Sequence, residues 1–344
     1  MSFIFSLVAV TVLVLVPLVG VTVADLRWLF GVVVPYAAVA TFLIGVSYRV
    51  LKWSNSPVPF RIPTTCGQAK GLPWIKTNKL DNPCSLPAVI GRMFLEVFLF
   101  RSLFRNTRME YHQGPKVRYG SSKWLWLFGL LFHYSFLVVL IRHLRFFTEP
   151  VPMWVQIVEH IDTFFEMGLP LPGPDGLYVG LPLLAQSGVI LLAAATLLFL
   201  RRVVIAQVRY ISIAGDWFPL LLIIFIAKTG IIMRYVLKVD VVTVKKLTMS
   251  LVALKPELPA DPISFMFYIH IFLVSFLFAY FPFSKLMHLG GVWLSPTRNL
   301  VNNSREKRHI NPWNPEVKFH TYAEYEDDFR EQMIEAGIPV EKEA

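Results

Sequence analysis

The chain has 344 residues, of which 55% are hydrophobic and 16% charged, and its mean hydropathy is +0.55. A soluble globular chain is closer to a quarter charged, so this composition argues against a soluble fold and for an integral membrane protein. The net charge of +10 then reports an asymmetry between loops rather than nucleic-acid binding, and two cysteines, Cys66 and Cys84, are too few for a disulfide scaffold and read as free thiols.

A hydrocarbon core takes about 20 apolar residues per helix. Six segments qualify, at about 3–23, 28–51, 122–147, 181–204, 217–237 and 263–288. The first lacks the basic flank of a signal peptide and is long for one, so it reads as a span. Between the second and third spans lies a basic loop, 52–121. Its prolines (Pro57, Pro59, Pro63, Pro73, Pro83, Pro87) favour extended, turn-rich structure. Within that loop "VIGRMFLEVFLFRSLFRNTR", Val89 to Arg108, is apolar but holds Arg92, Glu96, Arg101 and Arg105. It reads as an amphipathic helix lying on the membrane surface. The tail, 289–344, turns acidic after Glu316, and "TYAEYEDDFREQMIEAG" reads as a short helix ended by Gly337. These divisions give two N-terminal spans (1–51), the basic loop (52–121), a four-helix core (122–288) and the tail. No phosphate-binding glycine loop, HExxH or GxSxG motif is present.

Orientation follows from Lys and Arg. Segment 49–123 holds 13 of them against three acids, whereas 148–181 holds none against five acids. Arg201, Arg202 and Arg209 follow the fourth span. Both termini, the basic loop and 201–216 are therefore expected in the cytoplasm, with the chain a multi-pass protein of the cytoplasmic (inner) membrane. The loop 238–262, with Lys238, Lys245, Lys246 and Lys255, fits this scheme least well.

Of eight histidines, four lie in polar segments: His112, His309 and His320 on the cytoplasmic side and His160 in the outer loop. The other four fall on two spans: His133 and His143 on the third, His270 and His288 on the sixth. Ten residues are nearly three helical turns, leaving His133 and His143 about 80° and about 15 Å apart. Eighteen residues are five turns, so His270 and His288 share a face about 27 Å apart on a straight helix. The third span runs outward and the sixth inward. His143 and His270 thus lie toward the outer surface, and His133 and His288 toward the cytoplasm. Two neutral imidazoles facing each other across a bundle can fill both axial positions of one haem iron. The two spacings do not match, and Pro282 is expected to kink the sixth helix. The bland alternative is four buried histidines bonded to backbone. A proton relay or transporter path is the other functional one, but it calls for nearby carboxylates, which the third and sixth spans lack, and no inverted repeat is evident.

The His-x9-His and His-x17-His pattern resembles the membrane cytochrome b subunit of respiratory nitrate reductase, as does "SIAGDWFPLLLIIFIAKTGIIMRY", Ser212 to Tyr235. The haem pattern covers roughly residues 120–290. That subunit has five spans, and this chain has an additional first one. The extra span, the loop "PFRIPTTCGQAKGLPWIKTNKLDNPCS" and the tail "NPWNPEVKFHTYAEYEDDFREQM" are more similar to the branch found in the sulfite-reduction-associated, Hdr-like menaquinol-oxidising complex. The resemblance implies an all-α bundle of about six transmembrane helices holding two b-type haems, with His143 and His270 as outer and His133 and His288 as inner iron ligands. It implies menaquinone or menaquinol as substrate at the outer haem. It also implies electron exchange with a cytoplasmic iron–sulfur subunit resembling heterodisulfide reductase, among further subunits of a complex.

Other intramembrane charges acquire candidate roles on this reading. Arg142, Arg145 and Arg234 lie near the outer haem, and Arg is suited to clamp its propionates; snorkelling to headgroups is the alternative. Lys228 is too deep to snorkel easily and is a candidate to hydrogen-bond a quinone carbonyl. The orientation itself is testable: reporter fusions at Gly71 and Ala344 are expected to report cytoplasm and one at Gly173 the outside. A cytoplasmic signal at Gly173 would reverse the scheme.

Overall fold

The computed structural model describes residues 1–56, 67–105, 108–112, 114, 116–163, 185–305 and 319–341. Cys66, His309, Pro57, Pro59, Pro63, Gly173, Glu316 and Ala344 lie outside the described residues. The chain divides into two compact units, Met1–Pro57 with Ile90–Asn299, and Val58–Val89 with Leu300–Ala344.

Among its described residues the larger unit contains six helices long and apolar enough to cross a membrane. The first is α1 (Ser2–Thr22). The second starts as a π turn, Leu29–Val33, and continues as α2 (Val34–Ser54). Next come α3 (Leu86–Leu99) and the short α4 (Arg101–Phe104), then two antiparallel strands, β1 (Arg108–His112) and β2 (Lys116–Gly120), paired Arg108↔Gly120 through His112↔Lys116. The third span is α5 (Lys123–His143), extended by a 3-10 turn to Phe146. The amphipathic α6 (Met153–Asp162) follows, then the fourth span α7 (Gln186–Val204) and the short α8 (Ala206–Ile211). The fifth span is α9 (Ala214–Ile231), ending in a π turn, Ile232–Val236. After α10 (Val241–Val252) comes the sixth span, α11 (Phe265–Tyr280), and then α12 (His288–Leu294).

The spans are apolar on all sides, as helices contacting both lipid and core must be. Packing runs α5 on α7, α7 on α9, α9 on α1 and α11, and α11 on α1 and α2. Val10, Leu191, Leu221, Leu222, Leu273 and Leu277 meet at the centre. A second cluster, with Val21, Phe30, Leu247, Leu251, Phe267 and Tyr268, seals one end under α10. The lysine-rich segment that fitted the orientation scheme poorly is therefore a packed helix. Its Lys245 pairs with Glu149, and its Leu251 carbonyl accepts the Tyr36 hydroxyl at 2.8 Å.

Two expectations need correction. The sixth span is not one helix to His288. It passes through a 3-10 turn, Phe281–Phe283, and the chain is extended at Ser284 (φ −112°, ψ 177°) before a second turn, Lys285–Met287. Pro282 carries no N–H and cannot continue the helical ladder. Gly45 of α2 allows this break to approach, since a Cβ there would lie 2.7 Å from Pro282 Cβ. The segment Val89 to Arg108 is likewise not one surface helix. Phe100, at φ +49°, ends it, and α3 docks on α5: Trp126 Nε1 donates to the Leu99 carbonyl at 2.7 Å and the Tyr134 hydroxyl to that of Phe98 at 2.9 Å. Those are C-terminal carbonyls without helical partners of their own.

The smaller unit joins part of the basic loop to the tail. Asn302 donates its backbone N–H to the Pro83 carbonyl at 2.7 Å and its side-chain amide to Asn82, while Asn82 donates to the Gly67 carbonyl at 3.3 Å. The acidic helix α13 (Tyr322–Glu335) opens with a Thr321–Glu324 capping box and stops at Gly337, φ +70°. There the N–H groups of Gly337 and Ile338 reach the carbonyls of Ile334 and Met333, a glycine-ended helix as the sequence suggests.

Candidate functional site

The four spanning histidines are brought together as two facing pairs. His143 and His270 have ring centres 6.4 Å apart with planes 19° from parallel. His133 and His288 have ring centres 6.0 Å apart with planes at 85°. The break after Tyr280 removes the mismatch between ten- and eighteen-residue spacings. His288 starts a new helix, α12, rather than continuing α11 in a straight line.

Each imidazole has one nitrogen committed. Nδ1 of His133 bonds the Gly129 carbonyl at 2.7 Å, Nδ1 of His143 the Val139 carbonyl at 2.7 Å, and Nδ1 of His288 the Lys285 carbonyl at 2.9 Å. A carbonyl only accepts, so Nδ1 carries the proton and Nε2 carries the lone pair. His270 Nδ1 lies 2.9 Å from Thr229 Oγ1. That hydroxyl directs its own proton to the Phe225 and Ile226 carbonyls at 3.0 and 2.9 Å, so it too accepts from the ring. Fixing Nδ1–H in this way is the usual device for presenting Nε2 to a metal.

Among the described residues no group of three or more His, Cys, Asp or Glu side chains is arranged to hold a metal ion. Each pair offers two nitrogens, so a metal between them takes its other ligands from a non-protein group, as iron does in haem. With metal–imidazole bonds of about 2 Å, two rings on opposite sides of one iron have centres about 6 Å apart. Both pairs fit that spacing. The walls are apolar and aromatic: Phe100 and Phe132 meet the His133 ring edge-on at 5.0 and 5.2 Å, and Phe146 lies 5.9 Å from His143.

The arginines beside the His143 pair have carboxylate partners on α6, a helix within the stretch expected as outer loop. Arg142 Nη1 lies 2.5 Å from Asp162 Oδ2, with side chains only 11% and 5% exposed. Asp162 also accepts the Ser187 N–H at 2.7 Å and the Ser187 hydroxyl at 2.6 Å, tying α5, α6 and α7 together. Arg145 pairs with Glu159. Arg142 Nε is buried with no hydrogen-bond partner among the described residues, a donor that suits an anionic group such as a propionate. Arg234 is exposed and lies over the Tyr235 ring at 5.8 Å. Lys228 is exposed on α9, next to Thr229. Asp162, Ser187 and Thr229 are the residues that sequence reasoning missed. The only advance signal was the acid-rich stretch containing Asp162. The carboxylates that a proton relay needs are thus supplied from outside the two spans, but Asp162 directs its oxygens to Arg142 and Ser187.

Six apolar spans and two facing pairs of nitrogen ligands define a multi-pass membrane protein of the cytochrome b type. Residues 92–305 match the nitrate reductase gamma subunit family, and the chain belongs to that family. It is 47% identical over 293 residues to an "Hdr-like menaquinol oxidoreductase cytochrome b-like subunit" of Archaeoglobus fulgidus, covering 83% of this chain and 84% of that one. To the protein of the same description in Archaeoglobus profundus it is 43% identical over 286 residues, 82% and 81% of the two chains. It is accordingly a membrane protein of the cytochrome b, electron-transfer kind.

Breaking a buried ion pair by removing one partner costs about 3–5 kcal/mol. Asp162→Asn is expected to lower the thermal stability of the purified protein on that scale, and the double variant Arg142→Gln/Asp162→Asn to recover part of the loss. An unchanged unfolding temperature in the single variant would show that α6 is not held by this pair.

Proposed function

We propose that the chain is a dihaem cytochrome b subunit that exchanges electrons between menaquinone/menaquinol and a cytoplasmic iron–sulfur subunit resembling heterodisulfide reductase, in a respiratory or dissimilatory sulfur-metabolism complex. The observation that carries this is the pair of facing imidazole couples, each ring with its Nδ1 engaged by a neighbouring oxygen. His143 and His270 would hold the outer haem b, His133 and His288 the inner. Each haem supplies one-electron chemistry at its iron. The chain's own groups fix the imidazoles, exclude water with aromatic walls, and offer Arg142 Nε, Arg145 and Arg234 to carboxylates at the outer end. The descriptions of the two archaeal relatives, which name menaquinol, support the quinone assignment.

His143→Ala or His270→Ala is expected to remove one low-spin haem, and His133→Ala or His288→Ala the other. Pyridine haemochrome with iron counting on the purified subunit would read a fall from two haems to about one. Two low-spin haems in every single variant would refute the ligand assignment.

Lys228 is the candidate quinone contact. It lies on α9 beside the residue that bonds His270, deep enough that its ammonium does not easily reach the headgroups. Lys228→Ala is expected to slow haem reduction by a menaquinol analogue with both haem spectra intact; unaltered kinetics would remove Lys228 from the site.

The loop and tail face the cytoplasm in the proposed orientation, as does the inner haem, with both termini on the cytoplasmic side of the inner membrane. We assign them the docking of the iron–sulfur partner. Arg298, within the larger unit, is anchored to Glu96 at 3.4 Å and to Ser102 at 3.3 Å, so truncation after it spares that contact. The truncated chain is expected to keep both haem spectra and lose the soluble partner. Partner recovered at full yield would rule out the tail's role.

A further inference from the structure

Three of the four histidines take their acceptor from their own stretch of chain: His133 from Gly129 and His143 from Val139, each four residues back, and His288 from Lys285, three back. Their ring planes are set by their own backbones. His270 is different. It is held from another helix, by Thr229 Oγ1, forty-one residues away in sequence, and by the neighbouring Ile226 carbonyl of that same helix. Thr229 is buried, 6% exposed, and its hydroxyl is immobilised by the two α9 carbonyls it engages. The next residue, Gly230, lies alongside the ring: a Cβ there would sit 3.4 Å from His270 Cε1 and 3.9 Å from Nδ1, in ordinary van der Waals contact. The carbonyl four residues before His270 belongs to Met266, the acceptor His270 would adopt if it followed His133 and His143.

We propose that Thr229 is the positioning residue of the outer haem: its hydroxyl holds the His270 ring in a plane nearly parallel to His143 and so makes the two haem sites inequivalent. The outer pair is 19° from parallel and the inner pair is at 85°. The inference rests on the dihaem reading above and adds the role of a residue that does not touch the iron. Its electronic consequence follows from symmetry. Parallel imidazole planes direct their π donation along one axis and split two iron d orbitals. Perpendicular planes donate equally along both and leave those orbitals nearly degenerate. The oxidised subunit should therefore give two different low-spin electron paramagnetic resonance signals, a rhombic one from the outer site and a strongly anisotropic one from the inner.

The test uses the full-length subunit in three forms: wild type, Thr229→Val, which keeps the shape and loses the acceptor, and Thr229→Ser, which keeps the acceptor. Haem is counted first, and the low-spin signals are then recorded. The expected result is two haems in all three forms, with the rhombic signal lost from Thr229→Val, the anisotropic signal unmoved, and the rhombic signal present in Thr229→Ser. Loss of the outer haem from Thr229→Val but not from Thr229→Ser also supports the proposal, since the acceptor is then what keeps His270 in place. Two haems with unaltered signals in Thr229→Val would overturn it while leaving the ligand assignment standing. Loss of the outer haem from both variants would overturn it too, reducing Thr229 to packing. A wild-type subunit without two low-spin haems would defeat the dihaem reading itself, and this proposal with it.

Discussion

A polar group inside a bilayer has no water to turn to, and an imidazole has two nitrogens to satisfy. That constraint organises the larger unit. On α5 the solution is local: His133 and His143 bond carbonyls one turn back, which uses one nitrogen and directs the other away from the helix. Past the end of the sixth span His288 uses the local solution again, whereas His270, on the span itself, needs a second helix. The bundle must therefore hold α9 against α11 closely and reproducibly. The cluster of Leu221, Leu222, Leu273 and Leu277 with Val10 of α1 does so.

The same constraint explains why the sixth span breaks. A straight helix from Phe265 to His288 would carry its second histidine beyond its partner on α5. The turn at Pro282, the extended Ser284 and the new start at His288 bring the ring back. Irregular backbone is tolerated in a membrane protein where other groups satisfy it. Here the Ser284 hydroxyl donates to the Phe281 carbonyl at 3.0 Å and accepts the Leu286 N–H at 3.1 Å. At the opposite end the buried Arg142–Asp162 pair does a comparable task for α6, with Ser187 filling the remaining acceptor positions.

How much of this was legible in the sequence depends on range. The six spans follow from apolar length, and the grouping of His133 with His288 and His143 with His270 follows from helical arithmetic and alternating direction, because both are properties of single segments. The Gly337 stop was readable for the same reason. Pro282 announced a disturbance but not its shape, since a proline removes one hydrogen bond without specifying the chain's next turn. The hairpin at Arg108–His112 and Lys116–Gly120 was overlooked because the apolar helical pattern before it masked a short polar–apolar alternation. Asp162 was readable only as one member of an acid-rich stretch, and Thr229 not at all. Their roles exist only through partners twenty and forty-one residues away, and nothing in their own neighbourhoods names those partners.

The smaller unit is assembled from two stretches separated by most of the bundle. Asn82 and Asn302, which lock it, are 220 residues apart. At about 5–20 residues per second, the ribosome leaves the first stretch waiting roughly ten to forty-five seconds while four further spans are made and inserted. During that time the Gly67–Asn82 stretch has no Asn302 to close on. The unit is complete only when the bundle preceding it in synthesis has been threaded, so a chain that stalls or misinserts midway presents a loop without its other half.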